Sequence, residues 1–401
     1  MAGRTVAELL DGVHVLRLDD DRVKFFEAAW HIPEGITYNA YMIRGRGGWV
    51  LIDTWKGAYS GEFMDAVQEV ADPREIKYIV VNHAEPDHSG SLVAIAAASP
   101  DAKIVVQRPG VGILDAMYGL GRRIEPAEGR MELAGEDFQF LRVPWVHWPE
   151  TMMTYHVRTG ILFTGDVFGS YSIPGRVDDW EPPEEGYLRY AEKYLVTVMG
   201  FHREHVLKAL DALDRFDRPL AALAPAHGLV WRREISRIRE FYRGWARGEG
   251  DPRRVLVAYA SMYGSMEAAA GELAEELRSR GIRVRVHAIT DSGDPGAEEF
   301  LTEANEAGAL ALATPTYDTG VHPMMKLLLD LLTSKFRGTG KRVALMASYG
   351  WGSRALEQMD EELREAGMNV VASAQFRERP APGDLEKLAD ALCPAEAPEG
   401  A

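Results

Sequence analysis

Short apolar runs rich in valine, isoleucine and leucine recur along the first part of the chain, up to about residue 240. They read VHVLRL, GWVLID, EIKYIVVNH, AKIVVQ, GILFTGDVF and LAALAPAH. Runs of this length and composition, bounded by turn-forming residues, are typical of β-strands. Two amphipathic stretches, GEFMDAVQEVA and RREISRIREFYRGWA, have the spacing of helices. This part of the chain is therefore predicted to be mixed α/β.

After residue 254 the pattern becomes regular. Five β-type runs, RVLVAYAS, IRVRVHAIT, GALALATPT, KRVALMASYG and MNVVASAQF, are separated by segments with helical spacing. The helical segments are SMEAAAGELAEELRSRG, AEEFLTEANEAG, HPMMKLLLDLLTSK and SRALEQMDEELREAG. Alternation of this kind predicts a doubly wound parallel sheet, which binds its ligands at the carboxyl ends of the strands.

The two patterns suggest two domains. A chain of 401 residues exceeds the usual size of one hydrophobic core. Between the patterns lies WARGEGDPRR, residues 245–254, which is polar and contains glycine and Pro252, so it is the best candidate for a linker. We expect domains at 1–250 and 251–401, and a frayed tail after Leu392.

Composition and charge narrow the possible partners. The formal net charge of -16 argues against nonspecific binding to nucleic acid or to an anionic membrane surface. The N-terminal MAGRTVAELLDG lacks the apolar stretch of a secretory signal, and no apolar run approaches the ~20 residues of a membrane span. We therefore expect a cytoplasmic protein that binds neither nucleic acid nor membrane.

The cysteine content restricts the chemistry of any metal site. Cys393 is the only cysteine, so an intrachain disulfide, a cysteine-bound zinc site and a cysteine-held iron-sulfur cluster are all excluded. A metal would have to be bound by histidine and carboxylate side chains.

The stretch VVNHAEPDHSG concentrates such side chains directly after an apolar run. In an extended chain residues two apart point the same way, so His83, Glu85 and Asp87 are predicted to face one side, with His88 following at a turn. Imidazole and carboxylate ligands suit iron, manganese or zinc, and many carboxylates without thiolate favour iron or manganese. Four ligands here, with others elsewhere, predict a two-metal site.

Further candidate ligands are His147, Asp166 and His227, each near the end of a later apolar run. Asp166, between a glycine and a β-branched residue, is well placed to bridge two ions. A lone histidine such as His147 is more often a packed or surface residue, and Asp87 with His88 alone would fit a helix cap. A purely structural role is a poor explanation for the four residues His83, Glu85, Asp87 and His88 taken together.

His202 and His205, in FHREH, lie three apart in a polar helical stretch. We assign them to a solvated helix face.

A second constellation follows the strand RVLVAYA. The turn SMYGSMEAAA opens a helix, and backbone N–H groups at a helix N-terminus, with Ser261, Ser265 and the flexible Gly264, suit a phosphate group. A helix cap explains Ser265 equally well. Two later loops, TPTYDTG and SYGWGS, follow strands three and four at the same edge, and Tyr317 and Trp351 can cover a flat ring or simply pack on the surface.

These motifs resemble those of a known family. NHAEPDHSGS, VHWPETMMTY, FTGDVFGS and APAHG resemble the metallo-β-lactamase-type domain of the flavodiiron proteins, also called A-type flavoproteins. Zinc hydrolases of the wider superfamily generally read His-x-His-x-Asp-His, whereas the second ligand position here is Glu85. The resemblance implies an αββα sandwich with one iron bound by His83, Glu85 and His147, the other by Asp87, His88 and His227, and Asp166 as the bridge. In this family the histidine at the position of His88 is the least dependable ligand.

The second constellation resembles the FMN-binding loops of flavodoxins, and TPTY followed by SYGWG is similar to the flavodoxin-like half of flavodiiron proteins. It departs from them in having Met266 where many relatives have a phosphate-binding threonine, and DTG where Asn-Asn-Gly is common. The resemblance implies that FMN is bound by Ser261, Met262, Tyr263, Gly264, Ser265, Met266, Thr314, Pro315, Thr316, Tyr317, Gly320, Ser348, Tyr349, Gly350, Trp351 and Gly352.

By this resemblance the chain is a redox enzyme with FMN and two irons. Its implied reaction is reduction of dioxygen to water, of nitric oxide to nitrous oxide, or both, with Trp30, His31 and Tyr38 as candidate pocket residues. Because the chain shows neither a rubredoxin extension nor a nicotinamide-binding fingerprint, we expect electrons from rubredoxin, another reductase or a reduced deazaflavin. The family also implies a head-to-tail homodimer or a dimer of dimers.

Two other readings remain open. The chain is alternatively a zinc-dependent hydrolase with a fused flavodoxin-like module, in which a metal-bound hydroxide attacks an ester or thioester. Glu85 argues against this. The second alternative is not an enzyme: the chain would be an electron carrier whose first domain has only a structural role.

Overall fold

The structure, a computed structural model, describes residues 3–290 and 295–393. The chain divides into two compact units, the first ending at residue 243 and the second comprising residues 196–201 and the chain from 244 onward. The predicted domain boundary after residue 250 stays a prediction. Within the described residues, no helix is both long enough and apolar enough to cross a membrane.

The first unit contains two large sheets and a small hairpin. Its strands are β1 (Gly3–Leu10), β2 (Val13–Asp20), β3 (Phe25–Phe26), β4 (Trp30–His31), β5 (Ile36–Gly45), β6 (Gly48–Ile52), β7 (Ile76–Val80), β8 (Lys103–Val106), β9 (Ile124–Pro126), β10 (Arg130–Leu133), β11 (Glu136–Arg142), β12 (Met152–His156), β13 (Ile161–Gly165) and β14 (Ala222–Pro225). Its helices are α1 (Ser60–Val70), α2 (Pro86–Ser89), α3 (Leu92–Ala98), α4 (Arg108–Tyr118), α5 (Tyr187–Tyr194), α6 (Arg203–Asp214) and the start of α7 (Ile235–Arg247).

The two large sheets share one apolar core. The first has the strand order β1-β2-β5-β6-β7-β8-β9, and the second β10-β11-β12-β13-β14. Val15, Ile43 and Val50 of the first sheet lie in the same buried cluster as Phe138 and Phe163 of the second. Sheets that bury facing side chains in this way form a sandwich. The predicted αββα architecture is confirmed.

The second unit is built around one parallel sheet. Its strands are β15 (Asp251–Ala260), β16 (Arg283–Ile289), β17 (Ala307–Tyr317), β18 (Gly320–Val321), β19 (Arg342–Ser348) and β20 (Asn369–Phe376). Its helices are α8 (Ser265–Ser279), α9 (Ala297–Glu306), α10 (Pro323–Lys335), α11 (Ala355–Glu365) and α12 (Pro382–Leu392). The order β16-β15-β17-β19-β20 is parallel throughout, as predicted, and β18 adds a short antiparallel hairpin on β17.

The predicted linker is wrong in extent. Helix α7 continues to Arg247 and β15 begins at Asp251, which leaves only residues 248–250 between them. Pro252 is accommodated because the pairing of β15 with β17 is irregular between Asp251 and Val255, so the missing N–H interrupts no regular ladder there. The tail predicted after Leu392 lies almost entirely outside the described residues.

Candidate metal centre and flavin cradle

The structure brings the seven predicted metal-binding residues together in two adjoining groups in the first unit. One ligand atom from each member of a group lies within 4.8 Å of the others. The first group consists of His83, Glu85, His147 and Asp166, and the second of Asp87, His88 and His227. His83, Asp166 and His227 each follow a strand within three residues, so the sheets position them.

The chain turns sharply in the middle of the first motif. Strand β7 ends at Val80, and Pro86 begins the four-residue helix α2, which contains Asp87 and His88. The prediction that Asp87 shares one side with His83 and Glu85 is therefore wrong. Proline is favoured at the first position of a helix, and this turn directs Asp87 to the second group.

In the first group, two imidazoles face two carboxylates. His83 Nε2 lies 3.1 Å from Glu85 Oε2 and 3.5 Å from Asp166 Oδ2. His147 Nε2 lies 2.9 Å and 3.5 Å from the same two oxygens. All four ligand atoms therefore surround one small volume.

In the second group, the other oxygen of Asp166 takes part. His88 Nε2 lies 2.9 Å from Asp166 Oδ1 and 3.3 Å from Asp87 Oδ1. His227 Nε2 lies 3.4 Å from Asp166 Oδ1 and 3.4 Å from Asp87 Oδ2. Because its two oxygens face different groups, Asp166 has the geometry of a bridging ligand.

Two imidazoles are fixed by partners on their far side. His227 Nδ1 donates to the carbonyl oxygen of Thr37 at 2.7 Å, and His83 Nδ1 lies 3.0 Å from Glu150 Oε1. A carbonyl only accepts, so the neutral ring of His227 has its lone pair on Nε2, facing the carboxylates. Partners of this kind fix the tautomer and orientation of metal-binding histidines.

The polar atoms that remain unpaired test whether metal ions fit. Asp87 Oδ1, Asp166 Oδ2 and the Nε2 atoms of His88 and His227 are buried and without a hydrogen-bond partner. Buried unpaired polar atoms are costly, and two cations between these groups would satisfy them. A donor set of four imidazoles and three carboxylates suits iron or manganese. The residues therefore fit a two-metal centre.

The pKa values of the site also indicate that its buried carboxylates need positive charge nearby. Burial lowers the pKa of His227, but the nearby carboxylates of Asp166 and Asp87 outweigh it and raise that pKa to about 10. Burial also opposes ionisation of Asp166, yet the positive charge of His88 and the nearby imidazole of His227 hold its pKa well below the usual range. Protons on the imidazoles supply the positive charge that balances the carboxylates here, and metal cations can supply the same positive charge.

Aromatic rings wall the second group. Tyr38 and Tyr194 place their rings 5.6 Å from the ring of His227, and Phe26 lies 6.3 Å away. The Tyr194 hydroxyl donates to Asp166 Oδ1 at 2.7 Å. Of the predicted pocket residues, Tyr38 thus reaches the metal groups.

Trp30 and His31 form β4 of a two-stranded hairpin, where they pair with Phe26 and Phe25. The ring of His31 packs on Phe25 at 5.2 Å. From this hairpin Phe26, which the sequence did not single out, contacts His227. The role of Trp30 and His31 as pocket residues stays a prediction.

The assignment of His202 and His205 to a solvated face stays a prediction. Both are half-buried, and their rings lie 6.3 and 6.5 Å from the ring of Trp145. This contact links residues far apart in sequence, so local polarity did not reveal it.

In the second unit, three loops form a cradle at the carboxyl edge of the sheet. They follow β15, β17 and β19, as predicted. They line a cavity of about 250 Å³ with Met262, Tyr263, Ser265, Met266, Pro315, Thr316, Ser348, Tyr349, Gly350 and also Arg377. The rings of Tyr263 and Trp351 are 93% and 81% exposed, so they are free to cover a larger planar group.

Other predicted flavin residues shape the loops instead of lining this cavity. Ser261 Oγ accepts a hydrogen bond from Gly264 N, and Thr314 Oγ1 accepts one from His322 N. Tyr317 and Gly320 pair at the base of the β17–β18 hairpin, and Trp351 and Gly352 belong to the loop after β19. Contact of these residues with FMN stays a prediction.

A chain that joins a metallo-β-lactamase-like sandwich with a two-metal centre to a flavodoxin-like sheet is a two-domain metalloflavoprotein. The family model of the ODP family beta lactamase matches residues 36–228, and that of flavodoxin matches residues 257–391. The coenzyme F420H2 oxidase of Methanothermobacter marburgensis is 34% identical over 89% of this chain and 90% of that protein. The nitric oxide reductase of Moorella thermoacetica is 28% identical over 91% of each chain.

Solved structures agree with these relatives. A variant of the flavo di-iron protein from Thermotoga maritima superposes with a TM-score of 0.90 at 35% identity, covering 98% of each chain. This chain belongs to the flavodiiron protein family. The predicted cofactors, FMN and a non-haem di-iron centre, are those of this family, and the prediction is confirmed.

Four residues near the metal groups escaped sequence analysis: Glu150, Thr37, Phe26 and Tyr194. Glu150 lies in the stretch VHWPETMMTY, three residues after His147, so its carboxylate was a visible signal. Thr37 acts through its carbonyl, and Phe26 and Tyr194 act through contacts distant in sequence, for which no local signal exists.

Proposed function

We propose that this chain reduces dioxygen to water, nitric oxide to nitrous oxide, or both, with electrons delivered through FMN. The observation that carries the proposal is the position of Asp166, whose two oxygens face two separate histidine and carboxylate groups. Two metal ions bound by these groups would supply positions for both atoms of dioxygen, or for two nitric oxide molecules, and the electrons to reduce them. The nitric oxide reductase and the coenzyme F420H2 oxidase among its relatives support both substrates.

The residues contribute orientation and control of water. Glu150 and Thr37 fix the rings of His83 and His227, so the nitrogen that faces the metal position does not need to reorient during turnover. The rings of Tyr38 and Tyr194 exclude bulk water from one side of the site. The Tyr194 hydroxyl donates to Asp166 Oδ1 and so holds a proton beside the carboxylate that would bridge the two metals.

We propose His83, Glu85 and His147 as ligands of one iron, Asp87, His88 and His227 as ligands of the other, and Asp166 as the bridge. The short distances within each group support this division. Asp166→Ala is expected to lower bound iron from two per chain to below one, measured by elemental analysis. Retention of two irons by this variant contradicts the bridging assignment.

Product analysis tests the reaction. Iron-loaded protein, reduced through its FMN, is expected to convert two nitric oxide molecules into one nitrous oxide, or one dioxygen into water with four electrons consumed. Gas chromatography and an oxygen electrode measure both, with Asp166→Ala as the inactive control. Zinc as the native metal, with neither gas consumed, would replace this proposal by the zinc-dependent hydrolase.

We also propose a head-to-tail homodimer or a dimer of dimers, with rubredoxin, another reductase or a reduced deazaflavin as the electron donor. The exposed rings of Tyr263 and Trp351 support an interface, because large apolar side chains at one surface often mark one. The name of the coenzyme F420H2 oxidase supports a small reduced donor. Sedimentation of a fully active monomer would exclude the dimer.

A cytoplasmic location is part of the same proposal.

A further inference from the structure

The flavin cavity contains a charged residue that none of the predicted loops supplies. Among the described residues that line it, Arg377 is the one with a charged side chain. It follows Phe376, the last residue of β20, and so belongs to a fourth loop at the same edge of the sheet.

Two contacts position Arg377 at the cavity. Phe376 pairs with Ser348 of β19, and its carbonyl oxygen accepts a hydrogen bond from Tyr349 N at 3.0 Å. The guanidinium carbon of Arg377 lies 5.6 Å from the centre of the Tyr349 ring, in cation–π range. The side chain is therefore kept against the loop after β19 although it is exposed to solvent.

The loop after β15 offers an anion neutral donors but no cation. No side chain caps the start of α8, and the hydroxyl groups of Ser261 and Ser265 and the backbone N–H groups of the loop are all uncharged. Met266 is apolar and buried, and Glu267 places a negative charge in the first turn of the helix. A phosphate monoester has a charge of about -1.5 to -2 at neutral pH, so this end of the cavity lacks a compensating cation.

We propose that Arg377 binds the phosphate of FMN and supplies the positive charge that the loop after β15 lacks. A guanidinium presents its donors in a planar fork that matches phosphate oxygens, and such charge-assisted bonds are stronger than neutral ones. The inference rests on FMN as the cofactor of the proposed function and adds the residue that recognises its phosphate.

Comparison of FMN with riboflavin, which lacks the phosphate, tests the assignment. Arg377→Gln is expected to weaken FMN binding by roughly tenfold or more, the size of a lost charge-assisted hydrogen bond, and to change riboflavin binding less than about twofold. Flavin fluorescence during titration of the FMN-depleted chain measures both dissociation constants. The matched control is Arg379→Gln, which also removes one arginine charge but at a residue that does not line the cavity. Arg377→Lys, which keeps the charge, is expected to lose less.

The other outcomes are distinct. Equal weakening of FMN and riboflavin would show that Arg377 contacts the ring or shapes the loop, which overturns the inference. Unchanged FMN affinity, as in Arg379→Gln, also overturns it. If the unaltered chain binds no FMN, the proposed function fails as well. Circular dichroism melting of Arg377→Lys and Arg377→Gln separates lost binding from lost folding.

Discussion

Glu150 shows how much of the metal centre depends on residues that are not ligands. It is buried, and its Oε1 lies 3.0 Å from His83 Nδ1 and accepts a hydrogen bond from Ala84 N. Burial opposes ionisation, but the hydrogen bond and charge of His83 hold the pKa of Glu150 below its ordinary value. An ionised carboxylate here makes the imidazole a better metal ligand.

Glu150→Gln keeps the shape and removes the charge. We expect iron affinity to fall by about tenfold to a hundredfold, because partners of metal-binding histidines have effects of this size. Competition with a chelator measures the affinity. Glu136→Gln is the matched control, since Glu136 faces His156, a histidine in neither metal group. Equal iron affinity in both variants would show that Glu150 is merely structural.

At the scale of elements, the β17–β18 hairpin holds a strained turn beside the flavin loop. Tyr317 pairs with Gly320, and the two residues between them, Asp318 and Thr319, have φ of 46° and 69°. Two-residue turns with positive φ favour asparagine and glycine, and a β-branched residue there is an outlier. The DTG sequence noted as a departure from the family thus has a backbone cost.

Thr319→Gly is expected to relieve this strain. Strain of this kind costs about 1–3 kcal/mol, and the greater freedom of glycine in the unfolded chain offsets part of it. We expect a net gain of about 0.5–1 kcal/mol in the free energy of unfolding, measured with urea. Thr319→Ala, which removes the β-branch but keeps Cβ, should gain less; a loss of stability with glycine would contradict the strain.

The elements differ in how visible they are in the sequence. The strands and helices from β15 to β20 alternate regularly, so their pattern predicts the whole sheet. Strand β1 does not stand out, because AELL favours a helix and only pairing with β2 makes it extended. Helix α12 also escaped, although Pro382 begins it and Leu385, Leu388 and Leu392 have helical spacing.

In the candidate site too, features with a local sequence pattern were predicted, and features that depend on the fold were not. The ligands were visible because four lie within six residues and the others follow apolar runs. The turn at Pro86 was not, so Asp87 was placed on the wrong side. Arg377 stayed hidden because its importance arises from the position of β20 beside β19, a contact that no local motif encodes.

At the scale of the whole molecule, two cofactor sites are built on two separate frameworks. Iron is expected to slow hydrogen exchange in residues 81–91 and 226–228, and FMN in residues 261–266 and 348–351, because each ligand restrains the loops that bind it. Mass spectrometry of the chain with each cofactor removed in turn measures this. Protection by iron in the loops after β15 and β19, with none near His83, would contradict the site assignments.

The central claim is that electrons pass from FMN to a di-iron centre that reduces dioxygen or nitric oxide. The most direct measurement mixes the fully reduced, iron-loaded protein anaerobically with each gas in a stopped-flow instrument and follows flavin reoxidation. The account predicts oxidation by at least one gas far faster than that of free FMN, and loss of this acceleration in Asp166→Ala. Reoxidation no faster than free FMN with either gas would contradict it.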